Sequence, residues 1–261
     1  RALIRRQAGF PPFNFSWSGT RFISIPLNKL HPRFGAAAKS SRCVVIGLLS
    51  KWQKRVRNRS LAELAPLAIL ALIAALIAGF GRIAGEIVSG DTYRFDRELL
   101  LALRNPADLA DPIGPPWLEN VMRDITSLGG FTFVAITTLA VIGYLAMDGK
   151  RAAALFVLVA TAGGIALSEM LKMVFARPRP DLVAHLVDVQ SMSFPSGHAM
   201  QSAVTFLTLG ALLTREIGSR SLKIYVISIA ILLTLLVGGS RVYLGVHWPT
   251  DVLAGWCAGA S

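Results

Sequence analysis

Ser240-Arg241-Val242-Tyr243-Leu244-Gly245-Val246-His247-Trp248-Pro249-Thr250-Asp251 sets a cation, an imidazole and a carboxylate within twelve residues. An apolar run, Ile224 to Gly239, leads into this stretch, and another leads out of it from Thr250 to Ser261. Ionisable groups at the junction of two apolar helices cost desolvation free energy unless they pair or hold a ligand. Arg241 can grip an anion through paired N–H donors. His247 can attack as a nucleophile or move a proton. Asp251 can orient the imidazole and stabilise its charged form.

Working outward, the chain of 261 residues is 53% hydrophobic and only 16% charged. Its mean hydropathy of +0.55 fits membrane spans better than one or two soluble domains. The net charge of +12 is concentrated at one end. Residues 1–59 hold 13 of the 27 Lys and Arg and no Asp or Glu; beyond them 14 basic residues face 15 acidic ones. A basic flank on the cytoplasmic side of a first helix explains that asymmetry more simply than nucleic-acid binding, so no nucleic-acid partner is expected. Residues 1–59 are expected to be a poorly ordered segment, separate from a membrane domain over 60–261. The Arg, Ser, Phe and Pro of 1–40 resemble a transit peptide in composition, but an over-extended gene model gives the same look and is the reading favoured here. Cys43 and Cys257 read as free thiols, and no spacing suggests a zinc site or disulfide framework.

The apolar runs predict an all-α bundle of six transmembrane helices: Leu61–Ile83, Phe131–Met147, Ala152–Val174, His198–Thr214, Ile224–Gly239 and Thr250–Ser261. Basic residues before the first span and in the loops at 148–151 and 215–223 mark the cytoplasmic side. That leaves 84–126, 175–197 and 240–250 outside. Within 84–126, Phe95–Leu103 and Trp117–Thr126 read as short amphipathic helices on the membrane surface. They flank a turn-rich connector from Asp111 to Pro116. The last run has about twelve residues against the roughly 20 a span needs, so it reads as truncated or as a short helix ending inside the bundle.

The outer loops carry two more polar clusters. Lys172 ends a span, and Arg179 follows seven positions later between two prolines. Phe194-Pro195-Ser196-Gly197-His198 opens the fourth span. There Ser196 can cap the helix, and Gly197 lets a ligand approach amides that suit an anion. Three cations, backbone amides and two histidines, with only Asp181, Asp188 and Asp251 as nearby acids, suit a phosphate group without a metal ion.

Lys172-x6-Arg179-Pro180, Pro195-Ser196-Gly197-His198 and Ser240-Arg241-x5-His247-x3-Asp251 resemble the three signature motifs of the type 2 phosphatidic acid phosphatase superfamily. Fourteen residues separate the first two and 41 the second and third. The resemblance covers 60–261, in the form of the family's six-helix membrane branch; the short last helix is the one departure. It implies that His247 attacks phosphorus to give a phosphohistidine and that Asp251 orients His247. It implies that His198 protonates the leaving oxygen and later activates water. Lys172, Arg179, Arg241, Ser196 and the Gly197 amide would hold the phosphate, with no metal and no cofactor.

Other residues take plainer readings. Glu169 shares a helix face with Lys172 and is read as its structural partner. Arg177, outside the motifs, is read as a solvated or headgroup-facing charge, and His185 as ordinary. Gly163-Gly164 and Gly238-Gly239 are read as sites of close helix packing. Phe194, Tyr243 and Trp248 are read as interfacial anchors. The expected activity is hydrolysis of a phosphate monoester or pyrophosphate on a membrane lipid, of phosphatidate or polyprenyl diphosphate type. The Ala/Leu-rich style suggests a bacterial plasma membrane, with the site on the extracytoplasmic face. Vanadate-dependent haloperoxidases share the phosphate cradle but are soluble, and a non-catalytic lipid-phosphate binder would not need the nucleophile. The oligomeric state and the identity of the lipid are not legible in the sequence.

Overall fold

The computed structural model of the chain describes residues 64–261. The basic segment 1–59, Cys43 and the first residues of the first span lie outside the described residues. α1 covers Leu64–Ser89. α2 (Tyr93–Leu101), β1 (Arg104–Asn105), β2 (Asp108–Pro112) and α3 (Pro116–Ser127) make up the first polar connection. α4 (Phe131–Met147) and α5 (Arg151–Phe175) form an antiparallel pair. After a long loop, α6 (Gly197–Ser202), a wide π-turn (Ala203–Leu207) and α7 (Thr208–Glu216) run on as one helical stretch. α8 (Arg220–Tyr243) and α9 (Pro249–Ala260) complete the described residues.

Three of these helices, α1, α5 and α8, are long and apolar enough to cross a membrane. The pair α3–α4, bent by 44°, makes a fourth if it is taken as one span. Their apolar side chains face outward: Leu67, Leu72, Ile136, Phe156, Val159 and Leu232 are all exposed. Such a surface is unfavourable in water and suits hydrocarbon. The interior is a thin stripe instead. On α5 the buried positions are Ala154, Val157, Thr161, Gly164, Ser168 and Lys172, spaced by three or four as a helix face requires. On α8 the stripe passes through Ala230, Thr234, Val237 and Gly238 to Ser240 and Arg241. Both stripes are apolar or small along most of their length and become ionic at one end. That end positions the site.

α6 packs against both α8 and α9 at the centre of this end. Gly255 makes the α6–α9 approach possible, because a Cβ there would stand 2.7 Å from the Ser196 carbonyl oxygen and 3.0 Å from Ala199 Cβ. Gly164 lies against Val204, and Gly238 lies under the Trp256 indole, as close packing requires. Gly163 and Gly239 meet nothing, so only one glycine of each pair serves that purpose.

The first connection does more than lie on a surface. Asp96 and Leu100, one turn apart on α2, are both fully buried. Leu100 joins Val183, Ala199, Val242, Trp248 and Val252 in one buried cluster. β1 and β2 pair as a short antiparallel ribbon, across which Asn105 Nδ2 donates to Asp111. The aromatic anchors are also corrected. Phe194 is 0% exposed, and Tyr243 and Trp248 are each 5% exposed. Phe194 stacks on Phe80 and meets Phe175 edge-on, so these rings are core packing.

Candidate active site

α5 delivers Lys172 to the polar end, where its ammonium donates to Glu169 at 2.7 Å and to Ser191 Oγ at 3.3 Å. The Glu169 pairing is the one read from the sequence. The helix then stops at Ala176, whose left-handed backbone (φ 45°) turns the chain sharply. Arg179 follows in the loop. Its Nε donates to the Ser191 carbonyl at 2.7 Å, and Nη1 donates to the Val246 carbonyl at 2.5 Å. The guanidinium therefore ties the first polar cluster to the last.

Ser196 caps α6, its hydroxyl accepting from Ala199 N at 3.5 Å. Its own N–H donates to the Asp251 carbonyl at 3.0 Å, which fixes α6 against α9. Gly197 abuts Lys172, for a Cβ there would stand 3.2 Å from Nζ. His198 lies beside Gly129 and Gly130 at the start of α4. Arg241 comes from the end of the α8 stripe and donates to Thr126 Oγ1 on α3 at 3.0 Å.

His247 sits in the α8–α9 turn, 2% exposed. Its Nε2 is 3.2 Å from Arg179 Nη1. A guanidinium only donates, so Nε2 presents its lone pair and the proton resides on Nδ1. Burial first, then Arg241, Arg179 and Lys172, hold this imidazole well below the usual histidine range and keep it neutral. Nδ1 stands 3.6 Å from Asp251 Oδ2, beyond hydrogen-bond reach. Ser193 fills the gap. Its hydroxyl donates to Asp251 Oδ2 and lies 3.4 Å from Nδ1. Asp251 also accepts the Trp248 N–H at 3.0 Å and so caps α9. Pro249 occupies the first turn of that helix, where a missing N–H costs nothing.

Arg177 is not a solvated charge. Its side chain is 11% exposed, donating to Asp251 Oδ1 at 2.5 Å, to Thr250 Oγ1 at 2.9 Å and to Asp96 Oδ2 at 2.7 Å. Its guanidinium carbon lies 5.5 Å from the centre of the Trp248 ring. Asp96 in turn accepts from Thr250 N at 2.9 Å and from Thr250 Oγ1 at 2.7 Å. A largely covered cation between two buried carboxylates satisfies the pairing that desolvation demands. The reading of Arg177 failed because its partners lie 74 and 81 residues away in the chain.

Lys172, Arg179, Gly197, His198, Arg241 and His247 line one cavity of about 370 Å³. Ser196 and Asp251 support it from behind without lining it. Thr126, Ser191, Ser193, Arg177 and Asp96 are the polar members that motif reasoning missed. A polar residue on a helix face otherwise buried, as Asp96 is beside Leu100, is the one local signal that points to any of them. The chemistry available is a neutral imidazole lone pair facing a pocket walled by three cations. That arrangement stabilises a phosphoryl group during displacement.

A family model described as the PAP2 superfamily matches residues 153–261. Phosphatidylglycerophosphatase B of Bacillus subtilis is 38% identical over 148 residues, spanning 56% of this chain and 72% of the relative. An undecaprenyl-diphosphatase of Sulfolobus acidocaldarius is 41% identical over 101 residues, 37% of this chain and 45% of the relative. The crystal structure of a transmembrane PAP2 type phosphatidylglycerolphosphate phosphatase from Bacillus subtilis superposes with a TM-score of 0.65. It shares 33% sequence identity and covers 72% of this chain and 90% of that one.

Proposed function

Because the chain belongs to the PAP2 superfamily and is a phosphatase, we propose that it hydrolyses a phosphate ester or diphosphate on a membrane lipid without a metal ion, through a phosphohistidine. The observation that carries this reading is the neutral, lone-pair-bearing Nε2 of His247 in a cavity walled by Lys172, Arg179 and Arg241.

His247 Nε2 attacks phosphorus while the bond from phosphorus to the lipid oxygen breaks. His198, which shares the cavity, gives its proton to that departing oxygen. Positive charge grows on the His247 ring during attack, and Asp251 answers it through Ser193 and the Nδ1 proton. Water then attacks phosphorus, His198 takes its proton, and the phosphorus–nitrogen bond breaks to free inorganic phosphate. Lys172, Arg179 and Arg241 stabilise the oxygens throughout, aided by Ser196 and the Gly197 amide.

The phosphatase domain in this reading is 60–261, a six-span bundle in which α6–α7 and α9 complete the count. The site faces the extracytoplasmic side of a bacterial plasma membrane, and the lipid enters from the bilayer. Relatives named for phosphatidylglycerophosphate and for undecaprenyl diphosphate support a lipid phosphate as substrate. The test is phosphate release from phosphatidate and polyprenyl diphosphate in detergent with EDTA. Turnover that persists in EDTA and is abolished by His247→Ala supports the proposal. If wild type and variant behave alike, it is refuted.

A further inference from the structure

Below the phosphate cradle, the seam between α5 and α6 holds polar side chains that this reaction does not use. Ser168 lies one turn before Lys172 on α5, and Gln201 one turn after Gly197 on α6. Both positions are therefore about 5.4 Å deeper along their helices than the cradle. Ser168 is 2% exposed and Gln201 8% exposed. Among the described residues, neither Ser168 Oγ nor Gln201 Oε1 or Nε2 has a hydrogen-bond partner. Buried amides and hydroxyls are almost always paired, so three orphans side by side point to a function.

Both residues line a second cavity, of about 150 Å³, between α4, α5 and α6. It shares Lys172, Gly197 and His198 with the phosphate cavity, so the two adjoin. Val134 and Ile165 make part of its wall apolar.

Resting on the phosphatase reading above, we propose that Ser168 and Gln201 form a subsite for the oxygen-bearing linker between a lipid's phosphate and its hydrocarbon tails. The substrate class this selects is a glycerolipid phosphate, not a polyprenyl phosphate. In a glycerolipid phosphate, the carbons next to the phosphate ester carry ester carbonyls or a hydroxyl. Glutamine offers both donors and an acceptor, and serine offers one donor with acceptor lone pairs, so either kind of oxygen is served. The terminal torsion of glutamine is broad, and the covered amide turns to a linker at little cost. In a polyprenyl phosphate the hydrocarbon begins at the first carbon. Seating it here leaves the buried amide unpaired, and sites built to hydrogen-bond a substrate reject analogues that lack the partner.

The experiment measures kcat/KM of the full chain in mixed micelles on three substrates: diacylglycerol phosphate, polyprenyl phosphate, and p-nitrophenyl phosphate, which has no lipid linker. Wild type is expected to favour the glycerolipid over the polyprenyl phosphate by about tenfold or more. Gln201→Leu should lose about tenfold on diacylglycerol phosphate while staying within about twofold on the other two. Ser168→Ala, a smaller change that guards against a folding defect in the first variant, should lower the same ratio. An unchanged lipid ratio in Ser168→Ala overturns the subsite. So does a wild type that hydrolyses polyprenyl phosphate as fast as the glycerolipid, although the phosphatase reading then stands. A wild type inactive on all three substrates overturns the phosphatase reading and the subsite with it.

Discussion

The α8–α9 turn and the α5–α6 seam border adjoining cavities, and their polar groups are held in opposite ways. In the turn, Asp251 accepts from Ser193, Arg177 and the Trp248 amide, and Asp96 closes the far side of Arg177. In the seam, Ser168, Gln201 and, one turn on, Thr205 have no partner. A saturated network holds its members in one arrangement before any substrate arrives, which suits a nucleophile that must meet phosphorus at a fixed point. An unsaturated seam is organised by what enters it. The turn therefore governs rate, and the seam governs which lipid is turned over.

The largest expected effect comes from the centre of the saturated side. His247→Ala should lower kcat by at least about 10³-fold, as removing a nucleophile does, while thermal unfolding in detergent changes little by comparison. Arg177→Met comes next. It leaves the fully buried Asp96 and Asp251 without their shared cation. Breaking a buried pair from one side costs about 3–5 kcal/mol, to be read from the unfolding midpoint in detergent. Adding Asp96→Asn to that variant should recover about 1 kcal/mol or more if the two groups are coupled as drawn. Full additivity would break the network.

Gly245→Ala tests the turn's backbone. Gly245 has φ +75°, and a Cβ there would stand 2.6 Å from Arg104 Nη2 and 2.8 Å from the Ala184 carbonyl oxygen. Strain and overlap together should cost about 1–3 kcal/mol and displace His247, two residues on. The smallest effect is the pH dependence of stability. The imidazole of His247 is depressed in the folded protein, so between that value and about pH 6.5 the unfolded chain binds a proton that the folded one refuses. Its contribution is present above about pH 6.5 and is lost as pH falls. His247→Asn should flatten the acid side of a plot of stability against pH.

The legible part of this molecule was local. Runs such as Phe131–Met147 are set by composition over one helix length, and α4 has those bounds. The three motifs are short and lie at loop–helix junctions, where caps such as Ser196 and Pro249 are also local events. What stayed hidden was long-range. Thr126 meets Arg241 across 115 residues, and Ser193 meets Asp251 across 58. Asp96 sits in a charge-rich segment, Arg94-Phe95-Asp96-Arg97-Glu98, where only its place one turn before Leu100 separates it from its solvated neighbours. Trp248 and Tyr243 misled for a related reason: core packing and membrane interfaces favour the same aromatic residues.

The most direct test of the central claim is to quench the reaction within one turnover and look for phosphate on the protein. Mixing a ³²P-labelled lipid phosphate with wild type and quenching in base should trap label that is lost in acid and stable in base. Peptide mapping should place it on His247. Rapid lipid turnover with no label on the protein, or with label on any other residue, would contradict the account.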